Sequence, residues 1–447
     1  MEVIINILKI LFNFLVNDFL GNPIMLIGFL VALGYILRKE TKSKTITGTI
    51  TAMVGLNLIM FGGSQMTKYF KPITDAVNKA YGIKGYLMDP YAMRAATQEG
   101  LGSRFGLIGY VFLVAFMVNV LLVYFGKYTK MHGIFLTGHT GFAHSQAVLW
   151  LVVYYFAFGS AATVLISGVL LGVYWAFSTN LAIKSSNKIT NNAGFTIAHN
   201  QMVGMWFFSK IAGFFGDPEE HDAEKMNLPG WLSIFNNNVV SVAIIMTIFI
   251  GCFMMTLGIS GVQKLAGDSN WFIYILMSGI NFSMYMVLIL TGVRMFIGEL
   301  SASFKGIQEK LIPNAVPGVD VAAILAYSPN AATLGFLFCT LGTIIGMGIL
   351  MIFKVPYMVL TGFVPLFFDG GPIGVVANKY GGWRAVAISG VLLGLIHVFG
   401  TVWMLKISGL EDGIGWAGMF DWSTVWPAIT ELLRMIAKIF SLGPFAG

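Results

Sequence analysis

From Asn330 to Phe353 the chain runs NAATLGFLFCTLGTIIGMGILMIF without one charged side chain, and comparable apolar stretches recur near residues 46 to 65, 105 to 125, 145 to 163, 164 to 182, 239 to 260, 271 to 294, 384 to 406 and 423 to 441. Each reaches the length at which a helix crosses about 30 Å of hydrocarbon; with PIMLIGFLVALGYIL after Asn22 they predict about ten to twelve spans. Within lipid, every backbone N–H and C=O must be satisfied inside the protein, and long continuous apolar runs meet that demand as helices. The pattern predicts an all-α polytopic membrane protein. Composition agrees, because 57% of the 447 residues are hydrophobic and 11% are charged, against about 25% charged in soluble chains. That balance excludes disordered, fibrous and nucleic-acid-binding classes. The net charge of +7 then marks orientation, since Lys and Arg gather in cytoplasmic loops.

Arg38, Lys39, Lys42 and Lys44 form the densest basic cluster, and basic residues recur at Lys127 and Lys130 and at Lys184 and Lys188, after every second crossing. These ends are expected to be cytoplasmic. The opening segment lacks a basic n-region and a small-residue cleavage pattern, so it reads as retained rather than as a signal peptide. There Glu2, Asn6, Lys9, Asn13 and Asn17 share one helical stripe, which predicts an interfacial or protein-packed helix. Cys252 and Cys339 lie in apolar runs with no Cys or His at metal-ligand spacing, so neither a redox site nor a metal site is expected.

The linker DPEEHDAEK concentrates Asp217, Glu219, Glu220, Asp222 and Glu224. It reads either as a solvated connector between two halves or as a docking surface for a soluble partner. Other stretches are neither clean spans nor plain loops: 71 to 100, 134 to 145, 191 to 201, 303 to 330 and 359 to 382 mix Gly or Pro breaks with isolated polar groups. Non-helical backbone at membrane depth survives only where protein or a watery cavity covers it, so these stretches are expected to line a site. Two features recur in the same order. FKPITDAVNKAYGIKGYLMDPYAM starts at Phe70 and FKGIQEKLIPNAVPGVDVAAI at Phe304, while LTG starts at Leu136 and again at Leu360. Matching offsets predict an internal duplication, with a first repeat over about 21 to 216, an acidic cytoplasmic loop at 217 to 228 and a second repeat over about 229 to 441. If each copy has an odd number of spans, the repeats are inverted, with broken helices meeting near the midplane.

Ionisable groups inside these segments are expensive and invite a functional reading. His139 and His199 each follow a small residue in a Gly-containing break, Asp320 follows Pro317 and Gly318, and Asp89 precedes Pro90. Together they can donate to and accept from a hydroxyl-rich ligand, and one of them can take a hydroxyl proton. The competing readings are a satisfied core histidine, an N-cap at Asp320 and a turn at Asp89; His132, His144 and His397 read as packing or loop residues. No phosphate-cradling GxxxxGK[ST], HExxH or GxSxG motif is present, so the residues alone lead to a carrier for a small polar solute.

At TGHTGF (137–142), GFTIAHNQ (194–201) and PNAVPGVDVAAILAYSPNA (313–331) the chain resembles the ascorbate-specific enzyme IIC family of the bacterial phosphotransferase system. LGYIL at 33 to 37, FKP at 70 to 72, YG-I-G around 81 to 85, LPGWLSIF at 228 to 235, GVRMF-EL at 292 to 300, GF-P-FF at 362 to 368 and ANKYGGWRA at 377 to 385 extend the similarity nearly end to end. The resemblance implies a homodimeric, multi-pass permease of the bacterial inner membrane with about eleven spans, in which a substrate-carrying core moves elevator-fashion against a dimer-forming scaffold. It implies translocation of L-ascorbate or a related sugar acid or polyol and its presentation to a soluble IIB subunit, whose phosphocysteine phosphorylates it. IIA and IIB are expected as separate polypeptides, and no cofactor is implied. Carried over residue by residue, the substrate site comprises Pro90, Tyr91, His139, Ala143, His199, Asn200 and Asp320, with Asp320 or a histidine as the base. Pro90, Ala143 and Asn200 stand where similar proteins have Thr, Gln and Gln, which puts the ligand's identity in play; His144 and Gln146 are candidates to compensate. The rival readings are an ion-coupled secondary transporter of a small polar solute without phosphorylation and a membrane-embedded enzyme.

Overall fold

The computed structural model describes residues 22–80, 86–225, 238–357, 359–410 and 415–445, with Phe14 and Phe19. The polar stripe at Glu2 to Asn17 and the motifs at 81 to 85 and 228 to 235 lie outside the described residues, and Tyr91 and His139 are placed by their backbone alone.

The molecule is mostly helical. Helix α1 (Pro23–Leu37) starts where the Asn22 side chain accepts the amides of Ile24 and Met25 at 3.0 and 3.4 Å, with Pro23 pre-set for the first turn. It is followed by α2 (Lys42–Ala80), α3 (Pro90–Leu101), α4 (Ile108–Tyr124), α5 (Gly138–Phe156), α6 (Ser160–Thr190) and α7 (Met202–Ile211). Beyond the acidic linker come α8 (Asn238–Met255), α9 (Gly258–Ala266), α10 (Trp271–Lys310), α11 (Pro329–Ile352), α12 (Gly370–Ile407) and α13 (Val425–Ile439). Among the described residues, six helical stretches are long and apolar enough to cross a membrane: Lys42–Met66, Ala92–Tyr124, Ser160–Thr190, Trp271–Lys310, Pro329–Ile352 and Val364–Ile407. A seventh is added if the pair Val242–Met255 and Gly258–Ala266, bent by 115°, counts as one.

The other apolar stretches take different forms. The run predicted at 145 to 163 straddles the break between α5 and α6, where Ala157 adopts a left-handed conformation and ends α5. The run at 423 to 441 becomes the 15-residue α13, which buries Trp426, Thr430, Leu433 and Ala437 and exposes Leu432, Met435 and Ile439. Two packing groups emerge. Helix α10 packs against α1, α2 and α8, and α1 against α2, while α11 packs on α12 and α6 on α4, α5 and α7.

Among the described residues, six short strands, absent from the sequence expectation, form two three-stranded parallel sheets. In one, β1 (Tyr86–Met88) lies between β5 (Val359–Thr361) and β6 (Gly415–Trp416). In the other, β4 (Val316–Val319) lies between β2 (Gly133–Phe135) and β3 (Thr196–Ile197). Strands this short carry too little periodicity to read. They satisfy broken backbone inside a protein that lipid surrounds.

The acidic linker divides in two. Asp217, Glu219 and Glu220 are exposed, whereas Asp222 and Glu224 reach into the core. Asn378 donates to Asp222 at 2.7 Å and accepts the Ala223 amide at 2.9 Å. The Glu224 carboxylate accepts the Ser328 hydroxyl and the Ala331 amide, each at 3.0 Å, in the first turn of α11. Burial nevertheless raises the Glu224 carboxyl above the ordinary carboxylate range. The Trp383 amide donates to the His221 carbonyl at 2.7 Å across a kink in α12 at Gly382, whose φ of +70° suits a residue without Cβ.

Candidate functional site

The sheet β2-β4-β3 gathers the predicted residues. Phe135 pairs with Gly318, and Ile197 with Val319; beyond the strands the Leu136 amide donates to the Gly318 carbonyl and the Ala198 amide to the Val319 carbonyl, both at 2.9 Å. Thr137-Gly138-His139, Asp320 and His199 therefore leave three adjacent parallel strands at one carboxyl edge. In open parallel sheets that edge is where ligands bind, because the departing chains splay apart and helix starts face the gap. His139 is the second residue of α5. Thr137, just before it, is 4% exposed, and its hydroxyl oxygen has no hydrogen-bond partner among the described residues.

Asp320 is half-buried and opens a 3-10 turn, Val321–Tyr327, whose Ala322 amide it accepts at 2.9 Å. One carboxylate oxygen is thus engaged as the cap that the sequence allowed. His199, 7% exposed, has Nδ1 3.0 Å from the Gln201 side-chain oxygen, and Gln201 Nε2 donates to the Phe368 carbonyl at 2.6 Å.

Asn200 faces inward. Its side-chain oxygen lies 2.6 Å from His144 Nε2 and accepts Trp422 Nε1 at 2.8 Å, while its amide nitrogen meets the Met419 sulfur at 3.0 Å. Trp175 Nε1 donates to His144 Nδ1 at 3.1 Å, so that nitrogen carries a lone pair and the proton sits on Nε2, directed at Asn200. His144 is fully buried, and Gln146 is spent on the Arg94 carbonyl and the Thr97 hydroxyl at 2.5 and 2.9 Å. Both candidates for compensating Ala143 are therefore bonded within the protein, and Ala143 itself is half-buried on α5.

The second sheet repeats the arrangement around Asp89, Pro90 and Tyr91. The Asp89 amide donates to the Trp416 carbonyl at 2.8 Å, and the Gly362 amide to the Met88 carbonyl at 2.9 Å. Pro90 and Tyr91 are the first two residues of α3. Asp89 is buried, and a Cβ added to Gly362 would collide with its carboxylate. Pro90 and Tyr91 thus leave a sheet of the same plan as the one that carries His139, His199 and Asp320.

Two buried carboxylates escaped the sequence reading. Asp421 accepts the Tyr174 hydroxyl at 2.7 Å and the amides of Val203 and Gly204, at 3.1 to 3.2 Å, at the start of α7; a carboxylate there opposes the positive end of the helix dipole. Asp369 lies 2.7 Å from His397 Nε2 and accepts the Phe420 amide at 2.7 Å, with Cys339 Sγ 3.8 Å from His397 Nδ1. All three side chains are sealed from solvent. The signal for both carboxylates was their isolation in apolar sequence, FFDGG and MFDWS, which the cost of a lone intramembrane charge marks for attention. Gln201 closes the GFTIAHNQ stretch, but nothing in the sequence alone set it apart from His199 and Asn200 as a site residue. Among the described residues, no three His, Cys, Asp or Glu side chains converge to hold a metal ion.

Comparison with known proteins gives this geometry a family. The profile described as "PTS system sugar-specific permease component" matches residues 18–428. The protein named "Ascorbate-specific PTS system EIIC component" of Mycoplasma pneumoniae is 30% identical over 427 residues, an alignment covering 86% of this chain and 64% of that protein. The chain thus spans less than two thirds of that relative's length. Its apolar helices and the extent of the match make it a multi-pass protein of the inner membrane. It belongs to the EIIC-GAT family of phosphotransferase-system sugar-specific permease components.

Proposed function

We propose that the chain carries L-ascorbate, or a related sugar acid or polyol, across the inner membrane and presents it to phosphorylated IIB, which IIA recharges. The observation that carries this reading is the exit of Asp320, His199 and the His139 turn from one parallel sheet at the same edge. An imidazole pair and a carboxylate at helix and strand ends suit a ligand made of hydroxyls. Pro90, Tyr91, Ala143 and Asn200 complete the site in this proposal, with Asn200 shaping it through the bonds that its side-chain oxygen makes to His144 and Trp422. Asp320 or a histidine accepts the hydroxyl proton when phosphate is delivered. The name of the Mycoplasma relative supports ascorbate; the shortened or apolar side chains at positions 90, 143 and 200 support testing polyols beside it.

Two sheets of the same plan, each with an aspartate after its central strand, support the duplicated halves proposed for about 21 to 216 and 229 to 441, joined by the linker at 217 to 228. On this reading the halves are inverted, the chain makes about eleven crossings, and α1, α2, α8 and α10 form the scaffold of a homodimer against which the remaining core moves as an elevator.

Reconstituted vesicles test the proposal. Labelled ascorbate should accumulate as its phosphate only when phosphorylated IIB is enclosed. Uptake driven by a proton or sodium gradient without IIB would establish the ion-coupled alternative instead. His199→Ala should abolish ligand binding by calorimetry; unchanged binding would remove His199 from the site.

A further inference from the structure

The three polar groups that follow β3 are ordered by a carbonyl. The Phe368 C=O can only accept, so the Gln201 group 2.6 Å from it is the NH2 and the amide cannot turn over. That leaves the Gln201 oxygen facing His199 Nδ1 at 3.0 Å, and a carbonyl oxygen there requires a proton on Nδ1. We propose that Gln201 is a positioning residue that fixes the neutral His199 ring in its Nδ1–H form, so that Nε2 meets the ligand as a hydrogen-bond acceptor.

The consequence concerns the ligand. An acceptor nitrogen pairs with a hydroxyl that still holds its proton and repels an ionised oxygen, so a sugar acid docks with a neutral hydroxyl at His199 and its anionic oxygen elsewhere. The same logic gives His144 the opposite form. Its Nδ1 accepts Trp175 Nε1 at 3.1 Å, so its proton lies on Nε2, 2.6 Å from Asn200. The two histidines are thereby held in opposite tautomers, with the proton on Nδ1 in His199 and on Nε2 in His144. The anchor behind Gln201 is firm, because Phe368 adjoins Asp369, which His397 and the Phe420 amide hold at 2.7 Å each.

The role assigned to the ligand rests on the carrier reading above, whereas the tautomer does not. Nitrogen NMR of the histidine-labelled full chain in lipid bilayers, without ligand, reads the tautomer directly, with the His199 signal assigned by its loss in His199→Asn. The expected result is a protonated Nδ1 and an unprotonated Nε2. In Gln201→Leu the preference should collapse to a mixture, and ascorbate affinity should weaken by about tenfold. A proton on Nε2 in the wild-type chain overturns the proposal, as does a Gln201→Leu chain whose tautomer is unchanged. Failure of the wild-type chain to bind ascorbate or polyols would count against the carrier reading alone, because the tautomer signal would still decide the role of Gln201.

Discussion

Asp89 and Asp320 hold the same station in two different sheets. Each is the first residue past a central strand, β1 or β4, each is flanked by two strands that run parallel to it, and each opens a helical segment. Their surroundings differ. Asp89 is 7% exposed and pressed against Gly362, whereas Asp320 is half-buried with one oxygen on the Ala322 amide.

Asp320→Asn separates capping from ligand binding. Asparagine keeps an oxygen for the Ala322 amide and caps as well as aspartate does, so the melting temperature in detergent should hold, while Asp320→Ala should cost about 1 kcal/mol. Ligand binding should fail in both. An asparagine variant that transports at the normal rate would assign Asp320 to the fold alone.

Gly362→Ala should act on Asp89 rather than on Gly362 itself. The added methyl must displace the buried carboxylate, and overpacking of this kind costs about 1–3 kcal/mol. Thermal melting should show the loss, and uptake should fall with it if the Asp89-Pro90-Tyr91 turn contributes to the site.

Asn200→Ala should leave two buried donors, His144 Nε2–H and Trp422 Nε1–H, without their shared acceptor. An orphaned buried donor costs about 1–3 kcal/mol, so a clear drop in melting temperature is expected even without ligand. A thermally silent Asn200→Ala would contradict the bonding described here.

Glu224 gives a pH dependence outside the membrane-spanning helices. Burial raises its carboxyl in the folded chain above the value it has when unfolded, so the folded state binds the proton more tightly. The stability this adds is fully present below the ordinary carboxylate range and is lost as pH rises through the raised value. Glu224→Gln keeps an oxygen for Ser328 and Ala331 and removes the titration. Melting curves of the variant should therefore be flatter than those of the wild type from mildly acidic to neutral pH, and no less stable at neutrality.

Much of this was legible in the sequence, for reasons that differ by residue. Long apolar runs announce helices because lipid permits little else, whereas the LTG triplets differ in placement, the one at 136 following β2 and the one at 360 starting inside β5. Pro90 and Pro329 mark where α3 and α11 start, but Pro72 lies inside α2 and Gly382 only kinks α12. The sheets were invisible, since two to four residues between helices show no alternation. His144 was read as a packing residue; it is buried, yet it also orders Asn200, which only the distances reveal. Asp369 and Asp421 stood in plain view as lone charges, but their partners lie far along the chain, at His397 and at Tyr174.

The middle strand of each sheet comes from the opposite part of the polypeptide: β4 fills the gap between β2 and β3, and β1 that between β5 and β6. During synthesis the stretches at 133–135 and 196–197 are made long before 316–319 arrives to close their backbone bonding. Neither portion can reach its finished form by itself, so splitting the gene within the linker should yield fragments that become stable only when co-expressed and inserted side by side.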